Sequence, residues 1–570
     1  MEPENQPPPL PQVVPPTVPA GPPTPEPSRP GSAKARRTLV VAGLILSLLL
    51  VGGGAAAFVL MRGSDELLLN KIPAGTDVVV VASLDPSAGQ KLNLMRMEGR
   101  FPAFGASQKV GQTVNRTLDT MLQGVGLDHK DVAWVGPEVA LTLDFNASGP
   151  PSAGVLLTSS DESAAEASLQ KLRGTPASQL LRWSTEEHGG IQVSIGSSPL
   201  PGTSVSYAIV DGVVVIGSGK QVVEGVIDTS QGKTPALGAS ADFQQTMADL
   251  PTSRLGFAYV NPGAMLGLLK QDAAFQAATG AALGDLKAVK GIGATLSAEP
   301  DGLAVDTSIR YDPAQLSPQT RALLSAPSHP NPLLKMVPGN AYGVFAQEHF
   351  DMTLKSITDQ MAAQGGGRGP ELAAPGLSDL LAVLSGDVAV EASPGASGHL
   401  GGALLLGTRD EAGMRSSLDS LAAFIPGVLG GGGSSWKTEQ YKGVTIRYLN
   451  AGGGTSGSEP APAFAVFDGA GVVASSVDDL EAIVDASKGG ATIASAPGFV
   501  SATGGVPQGG SLFYLDVHRL IGDIGATLPP GARNSFDQGP GQNLKPIQSI
   551  VWGSGGDAGQ QRSRLFIRIP

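Results

Sequence analysis

One ordered series of local signals occurs twice in this chain, at an offset of about 250 to 265 residues, and this duplication restricts the fold more than any other feature. The copies run roughly from 70 to 312 and from 335 to 570. Ile72-Pro73-Ala74-Gly75 leads into Val78-Val79-Val80-Val81, and Val337-Pro338-Gly339-Asn340 leads into Tyr342-Gly343-Val344-Phe345; each opens a strand. Gly136-Pro137-Glu138-Val139-Ala140-Leu141 is matched by Gly386-Asp387-Val388-Ala389-Val390. The stretch from Leu156 to Glu162 is matched by that from Leu405 to Glu411, in both cases a strand that runs into a helix. Gly190-Ile191-Gln192-Val193 is matched by Gly443-Val444-Thr445-Ile446.

Tyr207 to Gly212 and Phe464 to Gly469 both end in Asp-Gly between apolar runs, a hairpin signal because both turn residues tolerate positive φ. A short helix follows each hairpin, from Gln221 to Thr229 and from Val477 to Ser487. Then come a Phe-containing segment, strands from Leu255 to Val260 and from Ser511 to Leu515, and closing strand pairs that begin near Leu286-Lys287 and Leu544-Lys545. Strands joined by tight turns and interleaved with helices predict an α+β ectodomain with mixed, largely antiparallel sheets and flanking helices, rather than parallel βαβ winding. Residues 313–334, with Ser-Pro, Ala-Pro and His-Pro steps, read as a linker between the halves. Gln364-Gly365-Gly366-Gly367 reads as a helix break, and the Gly430 to Ser435 and Gly452 to Ser458 runs read as exposed loops.

The N-terminal portion is of another kind. Residues 1–37 hold Pro7-Pro8-Pro9-Leu10-Pro11 and Pro22-Pro23-Thr24-Pro25 with almost no aliphatic periodicity, which predicts a solvated, disordered tail. From Thr38 to Met61 no residue is charged, and 24 residues at about 1.5 Å each can cross roughly 30 Å of hydrocarbon. Lys34, Arg36 and Arg37 precede this segment, whereas Asp65 and Glu66 follow it, so a transmembrane helix at residues 38–61 places the N-terminus in the cytoplasm. The partner expected from this segment is the lipid bilayer, and the bulk of the chain lies outside the cell membrane. Ala55-Ala56-Ala57 offers an A-x-A cleavage site as the alternative, but the apolar run exceeds the 7–15 residues of a secretory h-region. Gly52 with Ala56 and Gly53 with Ala57 are small-xxx-small pairs.

Charge narrows the partners. Residues 1–37 carry four cations (Arg29, Lys34, Arg36, Arg37) against three acids (Glu2, Glu4, Glu26), so the formal -12 of the whole chain leaves -13 for the rest, which disfavours nucleic acid. The absence of cysteine removes disulfides, thiolate metal sites and Cys nucleophiles. Abundant glycine without cysteine suggests a bacterial source.

Ile72-Pro73-Ala74-Gly75-Thr76, Phe101-Pro102, Gly126-Leu127-Asp128 and the run from Asp131 through Trp134-Val135-Gly136 to Ala140 resemble a bacterial family, domain of unknown function 3352. Tyr441-Lys442-Gly443-Val444 and Asp468-Gly469 resemble its second characteristic stretch. The resemblance covers nearly all of residues 70–570. It implies envelope-associated proteins with no established activity, and carries over no catalytic residue. In the second half Ser385-Gly386-Asp387 replaces the Trp-containing strand start, so any site lined by Trp134 would be missing there.

Motifs for catalysis are weak. No Ser satisfies G-x-S-x-G. Ser168-Leu169-Gln170-Lys171 satisfies S-x-x-K but sits on an apparent amphipathic helix without K-T-G or S-D-N. Gly232-Lys233-Thr234 ends like a phosphate loop, yet Ile227 stands where the first glycine is needed, so a helix exit is expected. The six histidines show no close ligand spacing; Glu348-His349-Phe350-Asp351 is the densest set of ligand types and reads as helix capping. Asp161-Glu162 and Asp410-Glu411 read as N-caps rather than an acid-base pair. The four Trp residues read as core or sheet-edge positions. No catalytic, cofactor or metal residue is nominated, and no cofactor is expected. The expectation is a non-catalytic binding or scaffolding protein of the cell envelope with an unknown envelope partner; the rivals are a membrane-tethered hydrolase and a signalling component that uses its proline-rich tail.

Overall fold

A computed structural model describes residues 67–101, 128–145, 151–175, 178–198, 204–263, 285–355, 377–395, 400–428, 435–450 and 461–570. The tail, the 38–61 segment with its small-residue pairs, the 364–367 glycine run and nearly all of the two glycine loops lie outside the described residues. Among the described residues no helix is long and apolar enough to cross a membrane.

The first half contributes β1 (Val78–Ser83), β2 (Val135–Asp144), β3 (Ser152–Ser159), β4 (Arg182–His188), β5 (Ile191–Ser197), β6 (Ser204–Val210), β7 (Val213–Gly217), β8 (Gly256–Val260), β9 (Val289–Glu299) and β10 (Gly302–Tyr311). The second contributes β11 (Gly343–Gln347), β12 (Leu384–Pro394), β13 (Leu400–Thr408), β14 (Ser435–Tyr441), β15 (Val444–Asn450), β16 (Ala463–Phe467), β17 (Ala470–Ala474), β18 (Ser511–Asp516), β19 (Ser549–Gly556) and β20 (Gln560–Arg568). Hydrogen bonding orders the first ten as β4-β5-β6-β7-β3-β2-β1-β8-β9-β10. The order continues through β20-β19-β18-β11-β12-β13-β17-β16-β15-β14. Every ladder is antiparallel, and the two halves form one sheet of 20 strands. Adding ten to each strand number of the first half and reversing the order yields the second half, so a pseudo-two-fold axis passes between β10 and β20.

The repeat holds at the level of single bonds. The Ile-Pro and Val-Pro starts make equivalent bridges, Pro73 to Ala236 and Pro338 to Thr492. Leu237 N donates to the Ile72 carbonyl (2.8 Å), as Ile493 N donates to that of Val337 (2.9 Å). Asp211-Gly212 has φ of 44° and 78°, and Asp468-Gly469 has 49° and 75°, so both are the mirror-image turns that suit hairpin twist. The ladders correct one correspondence: Val139 pairs with Leu157 and Val388 with Leu406. Glu138 is therefore the counterpart of Asp387, one residue away from the match that the two glycines suggest.

Each half buries one sheet face under two helices. Lys220–Ser230 and Ala241–Met247 cover β1, β5, β6 and β7 through Val226, Ile227 and Phe243, while Val477–Ser487 and Pro497–Thr503 do the same with Leu480, Ile483 and Phe499. On the opposite face the helices Glu162–Arg173 and Glu411–Val428 cover only the outer strands, through Leu169 on one side and Met414 and Leu418 on the other. Strands β7 and β16 are consequently buried along their whole length.

The middle strands keep one face less covered. A row of cross-strand neighbours, Leu296, Val305, Leu565, Trp552, Phe513, Phe345, Val390 and Leu404, runs over β9, β10, β20, β19, β18, β11, β12 and β13. None of the eight is buried, and Leu296, Phe345 and Val390 are exposed. Trp552 thus lies mid-sheet and half-exposed, neither core nor edge. Arg564 ties the halves across the seam, reaching Glu299 and Asp306.

Candidate binding site at the start of the second half

The side chains nearest to chemistry in the sequence are used for structure. Ser168 donates to the carbonyls of Asp131 (2.5 Å) and Ala164 (2.9 Å), and Lys171 pairs with the Asp131 carboxylate at 2.5 Å, so both ends of the S-x-x-K spacing are tied to Asp131. Gly232, at φ 71°, closes the helix Lys220–Ser230 as expected of an exit glycine. Asp161 and Asp410 accept the amides of Ala164 (3.0 Å) and Gly413 (2.9 Å), which is capping. Trp134 is buried in the core, with its Nε1 donating to the Asp131 carbonyl.

The residues that do converge come from three distant stretches. The 313–334 segment is folded: the helix Pro318–Leu324 starts at Ser317, whose amide and hydroxyl donate to Asp285, and Leu316 is buried. Its end is clamped by buried Asn331, whose Nδ2 donates to the carbonyls of Gln347 and Val388 (both 3.2 Å) while its Oδ1 accepts the Leu333 amide (3.0 Å). This clamp sets His329 beside the end of β11 and the irregular start of β12. There Nε2 of His329 lies 2.8 Å from Asp387 Oδ1, and its backbone amide donates to Glu348 Oε2 at 2.8 Å. Nδ1 of the same ring is 3.6 Å from Glu348 Oε2.

His349 stands edge-on to His329, ring centroids 5.5 Å apart, with Nε2 on the Pro327 carbonyl at 3.0 Å. It occupies φ 55°, a left-handed conformation that few residues other than glycine adopt. Gly386, at φ 102°, lets the β12 backbone approach, since a side chain there would run into Asp351 and the His349 backbone. The helix expected to begin at Glu348 starts two residues later, at Phe350, its first bond running from Thr353 N to the His349 carbonyl. Glu348 does not cap it; its carboxylate faces His329.

A cavity of about 220 Å³ adjoins this cluster, lined among others by Ser328, Asn331, Phe499, Thr503, Gln508 and Leu512. Glu348 and Asp387 are almost fully buried, whereas the His329 side chain is 43% exposed. Partial burial alone would lower the pKa of His329; Asp387, Glu348 and the Pro327 carbonyl outweigh it and hold the value above that of an ordinary histidine. Among the described residues the site occurs once. Matching Val79 with Val344 through their partners Tyr259 and Tyr514 places Ser83 and Leu84 where the second half has Glu348 and His349. Glu138, the counterpart of Asp387, accepts the Leu68 amide at 3.2 Å.

Sequence inspection saw Glu348 and His349 but not the cluster, because His329 and Asp387 lie 19 residues before and 39 residues after Glu348. Only the folded 313–334 segment and the β12 irregularity bring them together.

The described residues form two equivalent α+β units that share one antiparallel sheet, with the polar cluster in the second unit, which is the architecture of an internally duplicated protein. The chain belongs to the family described as protein of unknown function DUF3352, whose model matches residues 40–374 and 373–558. No curated protein matches the sequence. Among solved structures, crystal forms IV and III of TP0453 align at 10% and 12% identity, covering 42% and 46% of this chain and 79% and 88% of theirs. Their TM-scores of 0.21 and 0.22 mean that they do not inform this fold.

Proposed function

We propose that this protein is a non-catalytic member of the bacterial cell envelope, anchored through residues 38–61, whose duplicated outer portion binds and holds another envelope protein. The observation that carries the binding part is the apolar row from Leu296 to Leu404, which crosses the pseudo-two-fold axis with no member buried. A continuous apolar strip on a monomer is a surface that a partner covers favourably, at about 25 cal/mol per Å² removed from water. The non-catalytic part is supported by the histidines. The rings of His188, His329, His349 and His518 face carboxylates or carbonyls, and none is placed as a base on a hydroxyl.

A photo-crosslinking residue at Val390 or Phe345, introduced in cells, should capture one defined envelope protein. Labelling of a second copy of this chain, or of lipid, would replace that reading; no adduct together with no retention on any envelope fraction would refute it. Removing residues 2–28 should leave the adduct unchanged, since the binding surface lies beyond the anchor.

A further inference from the structure

We propose that His329, His349 and Glu348 form a binding site for one divalent transition-metal ion of the zinc, cobalt and nickel class. One donor atom from each of the three lies within 4.8 Å of the others, a spread that a single ion can gather with small side-chain movement.

Hydrogen bonding selects the donor atoms. Nε2 of His329 faces the Asp387 carboxylate at 2.8 Å and donates to it, so Nδ1 is the ring nitrogen that can give its lone pair to an ion. Nδ1 lies 3.6 Å from Glu348 Oε2, so an ion held between them would take the place of a ring proton. Nε2 of His349 likewise donates to the Pro327 carbonyl at 3.0 Å, which frees its Nδ1. An imidazole whose outer N–H is held by a carboxylate or carbonyl is the usual arrangement of a metal-ligating histidine, because the outer bond fixes both tautomer and ring orientation.

Charge and backbone agree with this assignment. Glu348 and Asp387 are two nearly buried carboxylates, and a divalent ion beside them offsets their charge. The left-handed backbone of His349 is a local strain that the fold retains at the one residue presented to this point. Two imidazoles and one carboxylate suit borderline ions better than Mg²⁺ or Ca²⁺, which prefer oxygen-only sets. The partly exposed His329 side chain leaves room for water or a ligand atom at the fourth position. This inference does not depend on what the apolar row binds.

The test uses the full-length chain in detergent, stripped with a chelator and titrated separately with Co²⁺, Zn²⁺, Mg²⁺ and Ca²⁺. We expect one equivalent of Co²⁺ with the intense visible bands of a four-coordinate nitrogen-oxygen site, displacement by Zn²⁺, and a higher Tm with Zn²⁺. His349→Asn, a side chain that tolerates positive φ, and His329→Ala should each abolish the bands while the metal-free Tm stays near that of the parent. Asp387→Asn should weaken binding about 10- to 100-fold without changing stoichiometry. Absence of a stoichiometric cobalt spectrum, an unchanged spectrum in His349→Asn, or binding confined to Mg²⁺ or Ca²⁺ would overturn the proposal.

Discussion

Glu391→Gln tests how the second half tolerates a buried acid. Glu391 sits on β12 with 4% of its surface exposed, bonded to the Ser393 hydroxyl and near the buried Asp479. Burial, opposed by the Ser393 bond and reinforced by the Asp479 charge, lifts its pKa from 4.5 to about 7. The folded state therefore holds this proton more tightly than the unfolded chain does. The associated stability is complete below pH 4.5 and is lost as pH rises through about 7. Between pH 5 and pH 8 the loss is about 2.5 kcal/mol, or a Tm decrease of roughly 5–10 °C. Glutamine keeps the shape and the Ser393 contact but cannot ionise. Thermal unfolding followed at both pH values should show the parent losing more Tm than Glu391→Gln by about that amount, with the variant the more stable at pH 8. Parallel losses in the two proteins would refute the reasoning, because they would mean that Glu391 is charged at no cost in the fold.

Arg564→Ala strands Glu299 and Asp306 at the β10–β20 seam and should destabilise by about 1–3 kcal/mol; burial already raises the Asp306 pKa, so the loss should be greater at pH 8 than at pH 5 in denaturant melts. Asn331→Ala leaves the Gln347 and Val388 carbonyls without their side-chain donor, and should cost about 2–3 kcal/mol and speed hydrogen exchange in residues 325–335. Leu480→Ala, at a fully buried position on the helix over the second-half core, should cost about 2–5 kcal/mol in the same melts. Val390→Lys, on the exposed row, should change stability by no more than about 0.5 kcal/mol while eliminating the partner adduct captured from Phe345.

Local signals carried far along this chain. The Asp-Gly pairs specify their turns because the positive φ at Asp211 and Asp468 is a property of two adjacent residues. The helix from Glu162 to Arg173 follows from its acid N-cap and periodicity, and the Pro73 and Pro338 starts recur because the two copies share a sequence pattern. The α+β class and the duplication were therefore legible without coordinates.

Three matters were not. The 313–334 segment read as a linker because its prolines and serines are common in loops, yet Asn331 and Ser317 find partners that lie far away in sequence. The joining of two sheets into one depends on β10 meeting β20, a pairing of residues 250 to 266 positions apart that no local pattern encodes. The His329, Glu348 and Asp387 cluster likewise requires two strand ends and one loop to meet. The sequence alone determined secondary structure, turns and the repeat, since these arise from short-range sterics and hydrophobic period. Tertiary structure decided which acid meets which histidine and which apolar row stays open, because those contacts depend on how distant segments pack.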